Sequence, residues 1–192
     1  MYGYYILIKG IGKLNPFEKE NLVGLLKDLM VYPQITEYDD ILCAIDVVKS
    51  ENDWNVIIST TNSDFYSDLR LYESNQFNTK TQLLTHLEET LNKPIFTKTY
   101  VNDKIIFYDE INKHVTEDMK KELFKSLYND TEFLQSIKLY LIYNQNKSKA
   151  AKEANLHRNT LDNRLDKFYK ITGFDVRNFE DAAFIYIFLR NS

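Results

Sequence analysis

Between Asn144 and Asp175 the sequence runs NQNKSKAAKEANLHRNTLDNRLDKFYKITGFD, and this stretch limits the fold more tightly than any other. Ser148 to Ala154 predicts a short helix whose inner face is Ala150, Ala151 and Ala154, small enough for a second helix to cross closely. Asn155 follows, and Asn tolerates the left-handed backbone that a tight helix-to-helix turn needs. Leu156 plugs the corner. A second helix begins near Arg158, with Leu161, Leu165 and Phe168 on one face at 3.6-residue spacing. Its opposite face carries Asn159, Asn163, Asp166 and Lys170, with Arg158 and Asp162 on the flank toward the N-terminal end. This is helix-turn-helix patterning, in which a first helix crosses a nucleic-acid backbone and a second offers polar side chains to the major groove.

Charge points the same way. The chain of 192 residues has a formal net charge of −4, but residues 1–130 hold 14 Lys and Arg against 21 Asp and Glu, while residues 131–192 hold 10 against 7. Within 144–173 the balance is 7 against 3. A basic segment on an acidic body is the footprint of a nucleic-acid module carried by something else. The plainer reading is a solvated helix face with no partner.

The residue types suit a DNA contact. Arg158 can donate two hydrogen bonds to guanine, and Asn159 or Asn163 can pair with adenine, each bidentate contact discriminating by roughly 1–3 kcal/mol. Ser148, Lys149, Thr160 and Lys167 sit where phosphate contacts are made. Asp162 and Asp166 oppose the trend: a carboxylate in the groove repels phosphate and either accepts from cytosine or pairs with a neighbouring cation. Arg164 lies nearer the buried side than Asn163 and reads as an internal salt-bridge partner rather than a base reader.

Asn144, Asn146, Ala150, Ala151, His157 to Leu161, Arg164, Leu165, Thr172, Gly173 and Asp175 together resemble the C-terminal helix-turn-helix of the PucR/CdaR family of bacterial transcriptional regulators. The resemblance covers about residues 105–190, including the approach segments IIFYDEI and LYNDTEFLQSIKLYLIYNQN. It implies double-stranded DNA as partner, with His157 opening the recognition helix and capping it or touching phosphate. It also implies a sensor in the remaining chain without identifying its ligand. Asp162-Asn163 departs from the family's usual basic or polar residue followed by Tyr.

The first half alternates strand-like and helix-like runs. Tyr4 to Lys9 predicts a strand. Pro16 to Met30 predicts a helix with Phe17, Leu22, Leu25, Leu26 and Leu29 at helical spacing, Asn15 as cap and Pro16 at the first helical position. Ile41 to Val48 and Trp54 to Thr60 read as a hairpin about residues 49–53. Residues 79–92 predict a helix, and Ile95 to Tyr100 with Lys104 to Tyr108 predict another strand pair about Asn102-Asp103. From Thr116 onward the strand signal stops: Thr116 to Tyr128 and Thr131 to Tyr143 are helical by periodicity. The expected fold is therefore α+β, an antiparallel-sheet α+β domain over residues 1–112 followed by an all-α helix-turn-helix domain over residues 113–192.

Other classes find little support. Cys43 sits in an apolar run and suits a buried small residue, and it has no second cysteine to pair with. His86, His114 and His157 stand apart with no ligand-spaced partner, so no metal or cofactor is expected. Gly10-Ile11-Gly12-Lys13 lacks the pattern of a phosphate loop and reads as a strand-ending turn. No nucleophile, base and oxyanion group can be assembled, which argues against an enzyme. The N-terminus lacks a signal-peptide pattern, and no window approaches the ~18–20 apolar residues of a membrane span, so the expectation is a cytoplasmic protein with no membrane partner. The surplus of aromatics in Phe179, Phe184, Tyr186 and Phe188 suggests a homodimer contact, since two-fold sites need paired reading helices. The expected function is a sequence-specific transcriptional regulator controlled by a small-molecule effector or partner through its N-terminal domain. The alternative is a protein-docking module that uses a helix-turn-helix scaffold without reading DNA.

Overall fold

The computed structural model describes residues 2–190. The chain divides into two compact units, Met1–Phe107 and Tyr108–Ser192.

The first unit is organised around β1 (Tyr4–Lys9), in which every residue but Lys9 is buried. A strand covered on both faces is apolar at every position rather than at alternate ones, which accounts for the unbroken run Tyr4-Tyr5-Ile6-Leu7-Ile8. Antiparallel neighbours flank it on both sides, β3 (Ile41–Asp46) and β4 (Arg70–Glu73). The edges are β2 (Gln34–Tyr38), antiparallel to β3, and β5 (Tyr100–Asn102), parallel to β4, giving the order β2-β3-β1-β4-β5. With α1 (Pro16–Leu29) between β1 and β2 and α2 (Trp54–Phe65) between β3 and β4, the first four strands form the βαββαβ split-βαβ, or ferredoxin-like, arrangement.

Helices cover both faces of this sheet. On one, Tyr4, Ile6 and Ile8 pack with Leu22 and Leu26 of α1 and with Trp54 and Ile58 of α2. On the other, Tyr5, Leu7, Cys43 and Tyr72 pack with Leu83 and Leu87 of α3 (Lys80–Leu91) and with Val101. Burial pushes the Cys43 thiol up to about 12, the behaviour of a core residue rather than a nucleophile. Each aliphatic side chain so buried contributes roughly 1.5–3 kcal/mol.

Local signals set the ends of α1. The Asn15 side chain accepts from the Glu18 backbone N–H at 2.9 Å and the Glu18 carboxylate accepts from Asn15 N–H at 2.8 Å, a capping box with Pro16 at the first position. Phe17, placed by spacing on the apolar stripe, is instead 69% exposed, because the buried stripe of α1 centres on Leu22 and Leu26.

Three strand assignments fail. Trp54 to Thr60 is the start of α2, opened by the Asp53 side chain accepting from Val56 N–H at 3.2 Å, with Trp54, Ile58 and Thr61 buried at helical intervals. Its β-branched composition is overridden by burial of that one stripe. The hairpin partner of β3 is the mostly exposed edge strand β2, joined through Asp39-Asp40. Lys104 to Tyr108 belongs to α4 (Asp103–Lys113), started by the Asn102 side chain accepting from Ile105 N–H at 2.9 Å. Of Ile95 to Tyr100 only the last residue enters a strand, β5, which pairs parallel to β4 instead of forming a hairpin.

The second unit has no strand among its described residues. After α4 come α5 (Glu117–Phe124), α6 (Thr131–Ile142), α7 (Lys147–Glu153), α8 (Arg158–Thr172) and α9 (Phe179–Leu189). The helix expected over Thr116 to Tyr128 is α5 followed by a 3-10 turn, Lys125–Leu127. All five helices from α5 onward open on a capping side chain, from Thr116, Asp130, Asn146, His157 and Asn178. One core holds them, built on Phe124, Ile137, Leu161, Leu165, Phe168 and Ile185, each fully shielded from solvent. The architecture is thus an α+β unit on a predominantly antiparallel sheet followed by an all-helical unit. No helix among the described residues is long and apolar enough to cross a membrane.

Candidate nucleic-acid interface

The turn between α6 and α7 bends the chain sharply. Asn144 and Gln145 both take left-handed backbone, at φ 52° and 60°, and Gln145 anchors the bend by donating its side-chain amide to the Val176 carbonyl at 2.9 Å. Asn146 then caps α7, accepting from Lys149 N–H at 3.1 Å. Ala150 and Ala151 are buried and face the shared core, where a larger side chain would force the helices apart.

The second bend is made by Asn155, whose φ of 53° is the left-handed conformation Asn tolerates. Leu156 N–H donates to the Ala151 carbonyl at 2.8 Å, closing the end of α7. His157 caps α8 through Nδ1, which accepts from Asn159 N–H at 3.2 Å. Leu161, Leu165, Phe168 and Thr172 are buried along one side of α8, and Gly173 ends the helix at φ 84°. The residues left outward are those whose side chains can meet a polar surface.

Ser148, Lys149, His157, Arg158, Asn159, Thr160, Asn163 and Lys167 are all exposed, and Asp162 is partly buried. Ser148 and Lys149 lie in the first turn of α7, and His157 to Thr160 form the start of α8. An ion pair joins the two helices: Lys147 Nζ meets Asp162 Oδ1 at 2.7 Å. Asp166, one turn further along α8, is paired with Arg177 Nη2 at 2.5 Å. Both carboxylates of the reading helix are therefore neutralised by cations of the same unit. Neither Lys147 nor Arg177 was legible as their partner from residue spacing, since they lie 15 and 11 residues away on other segments of the chain.

The inner flank of α8 is fixed to the start of α6. Arg164 donates to the Glu132 carboxylate at 2.7 Å and to its carbonyl at 3.2 Å. Its guanidinium and the Lys167 ammonium both lie over the Phe133 ring, 5.7 Å and 5.2 Å from the centroid. Arg164 is thus occupied in holding α8 against α6. Lys167 remains exposed but takes its rest position on an aromatic face.

Chemically, this surface offers a fork of donors at Arg158, amides at Asn159 and Asn163 that donate and accept, hydroxyls at Ser148 and Thr160, and the ammonium of Lys149. The outward charge is positive because its acidic members are already paired. Such a set suits hydrogen bonding to base edges flanked by phosphate contacts.

Residues 133–190 match the PucR C-terminal helix-turn-helix domain. Over 134 residues, 65% of this chain and 45% of the relative, the sequence is 26% identical to the uncharacterized protein YxkF of Bacillus subtilis (strain 168), so the match spans under half of that protein's length. The crystal structure of a regulator of polyketide synthase expression from Bifidobacterium adolescentis is similar at a TM-score of 0.34 and 19% identity, over 98% of this chain and 78% of that one. With two left-handed bends, a small-residue crossing at Ala150-Ala151 and a capped second helix in place, the segment from Phe133 to Arg190 folds as a helix-turn-helix that matches the PucR C-terminal helix-turn-helix domain.

Proposed function

We propose that this protein is a cytoplasmic transcriptional regulator that reads DNA sequence through α8, acts as a homodimer on a repeated half-site, and answers to an effector through its N-terminal domain, residues 1–112. The observation that carries this reading is the outward cluster Arg158, Asn159, Thr160 and Asn163 at the N-terminal end of a capped helix. Helix-turn-helix proteins place base contacts in that part of the recognition helix. Pairing of Asp162 with Lys147 and of Asp166 with Arg177 removes the repulsion those carboxylates would otherwise bring to phosphate. The dimer is supported by apolar surface on α9, where Phe179 is 80% exposed and Phe184 is 41% exposed.

The test is binding of the purified protein to fragments of its own upstream chromosomal region, at two salt concentrations, against random DNA of equal length. Tighter binding to the native fragment is expected, with log affinity falling steeply on log salt as counterions are released. Arg158→Ala and Asn159→Ala should each weaken operator binding by roughly 1–3 kcal/mol. Variants that bind as tightly as the parent would sink the contact assignment. Equal, salt-insensitive binding to both DNAs would turn the reading toward the docking module.

A further inference from the structure

The sheet face that carries Tyr5 and Tyr72 holds, within the first unit, a cavity of about 290 Å3. Its polar walls are Tyr72, His86, Thr90 and Asp103, and its apolar walls are Ile95, Ile106 and Phe107. The volume falls just below the usual range of ligand pockets, about 300 to 1,000 Å3, and so suits a small ligand.

The polar groups form two part-buried sets. Tyr72 donates its hydroxyl to Asp103 Oδ1 at 2.5 Å, and Asn75 N–H donates to Asp103 Oδ2 at 3.3 Å. Tyr5, fully buried, bonds through its hydroxyl to His86 Nδ1 at 2.7 Å, and the Thr90 hydroxyl lies 3.4 Å from the same nitrogen. Burial above all holds the phenols of Tyr5 and Tyr72 well above their ordinary range, so both stay neutral at neutral pH. A face that needed only packing would be built from apolar side chains, because enclosed polar groups cost free energy.

The charge is unbalanced. Asp103 takes both its hydrogen bonds from neutral donors, and no cation is paired with it among the described residues. The ammonium at the cavity wall, Lys93, lies 3.6 Å from Glu89 on α3. A carboxylate of this kind, partly shielded from water and beside apolar walls, is complementary to a positive ligand group.

We propose that this cavity binds a small organic cation whose primary ammonium donates to Asp103 and whose apolar body lies against Ile95, Ile106 and Phe107. Binding stands on the cavity alone. Calling the cation the effector rests on the regulator reading above.

The full chain is titrated calorimetrically at neutral pH with three probes of one shape: phenethylammonium, neutral phenethyl alcohol and anionic phenylpropionate. Saturable binding of the cation, about tenfold or more tighter than either analogue, is the expected result. Asp103→Asn keeps an acceptor for Tyr72 and removes the charge, so it should abolish that preference while the circular dichroism stays native. A cation that binds no tighter than its analogues, or a natively folded Asp103→Asn that retains the preference, overturns the site. Should Asp103→Asn not fold, Phe107→Ala, a change to a wall that is 71% exposed, should weaken cation binding severalfold, and unchanged binding counts against the proposal. DNA binding is recorded separately: cation binding without it leaves this site standing and sinks the regulator reading, and the reverse result does the opposite.

Discussion

The two units handle polar groups in opposite ways. In the sheet unit they go inside. Asp46 is almost fully buried and accepts from the backbone N–H groups of Val31, Tyr32 and Val48, while buried Glu73 takes Lys49 Nζ at 3.0 Å and the Tyr100 hydroxyl at 2.5 Å. In the helical unit the core is almost wholly apolar; Lys120 is the one buried charge among its described residues, paired with Glu117 at 2.9 Å, and other charges sit outside as pairs or as the open cluster at the start of α8. The formal charges follow, with 10 Lys and Arg against 15 Asp and Glu in residues 1–107 and 14 against 13 in residues 108–192. A two-faced sheet has enough interior to enclose satisfied polar groups. A small helical unit has one thin core and keeps its chemistry on the surface. Recognition of an extended polar polymer belongs on the second kind of body, and capture of a small molecule on the first.

The contrast can be broken most sharply in the helical core. Phe168→Ala removes a fully buried ring and should cost about 3–5 kcal/mol, a large share of what a unit this size holds. Urea unfolding followed by far-UV circular dichroism measures it, with Trp54 emission as reporter of the sheet unit. Coincident loss of both signals would merge the units into one cooperative body.

Alkali should strike the other side. Unfolded tyrosine ionises near pH 10, whereas burial holds folded Tyr5 and Tyr72 higher, so their contribution is full below about pH 10 and is lost as pH rises above it. Each costs about 1.4 kcal/mol per pH unit in that range, together about 3 kcal/mol one unit above the unfolded value. Tyr140 is the one buried phenol among the described residues of the helical unit, so its transition should shift less. Denaturant midpoints of both transitions between pH 8 and 11, read with tyrosinate absorbance, would show equal shifts if the contrast is wrong.

Smaller effects sharpen the surface side. Lys149→Ala should weaken operator and random DNA alike and lower the salt slope by about one. An effect confined to operator would make Lys149 a base reader. Asp162→Asn breaks a partly exposed ion pair, costs under about 1 kcal/mol of stability and frees Lys147 for phosphate. DNA affinity should rise and its salt dependence steepen, as paired gel-shift titrations can verify. Weaker binding would mean that the Lys147–Asp162 pair positions α7 against α8.

Much of the helical unit could be read directly. Its helices carry their own punctuation, with a cap before each and Asn155 or Gly173 at a left-handed end, and its apolar residues keep a helical period. The sheet unit was harder. The run Trp54-Asn55-Val56-Ile57-Ile58 has strand composition, and only Asp53 as cap and the burial of Trp54, Ile58 and Thr61 reveal a helix. The strand Gln34–Tyr38 escaped because an exposed edge strand has little apolar pattern, and Arg70–Glu73 because four residues are too few to show a period.

Residue type and spacing alone specify the helix-turn-helix, the capping of its helices, the α+β character of the first half and the basic segment on an acidic chain. These are local properties, written in spacing and residue type within a turn or two. The closed fold alone sets which strands are neighbours, that β5 runs parallel to β4, that Lys147 and Arg177 neutralise the acids of α8, and that Tyr72, Asp103 and His86, the last bonded to Tyr5, line one cavity. The side-chain pairings among these join residues 11 to 81 positions apart, and no local propensity encodes a contact that exists only once the core has closed.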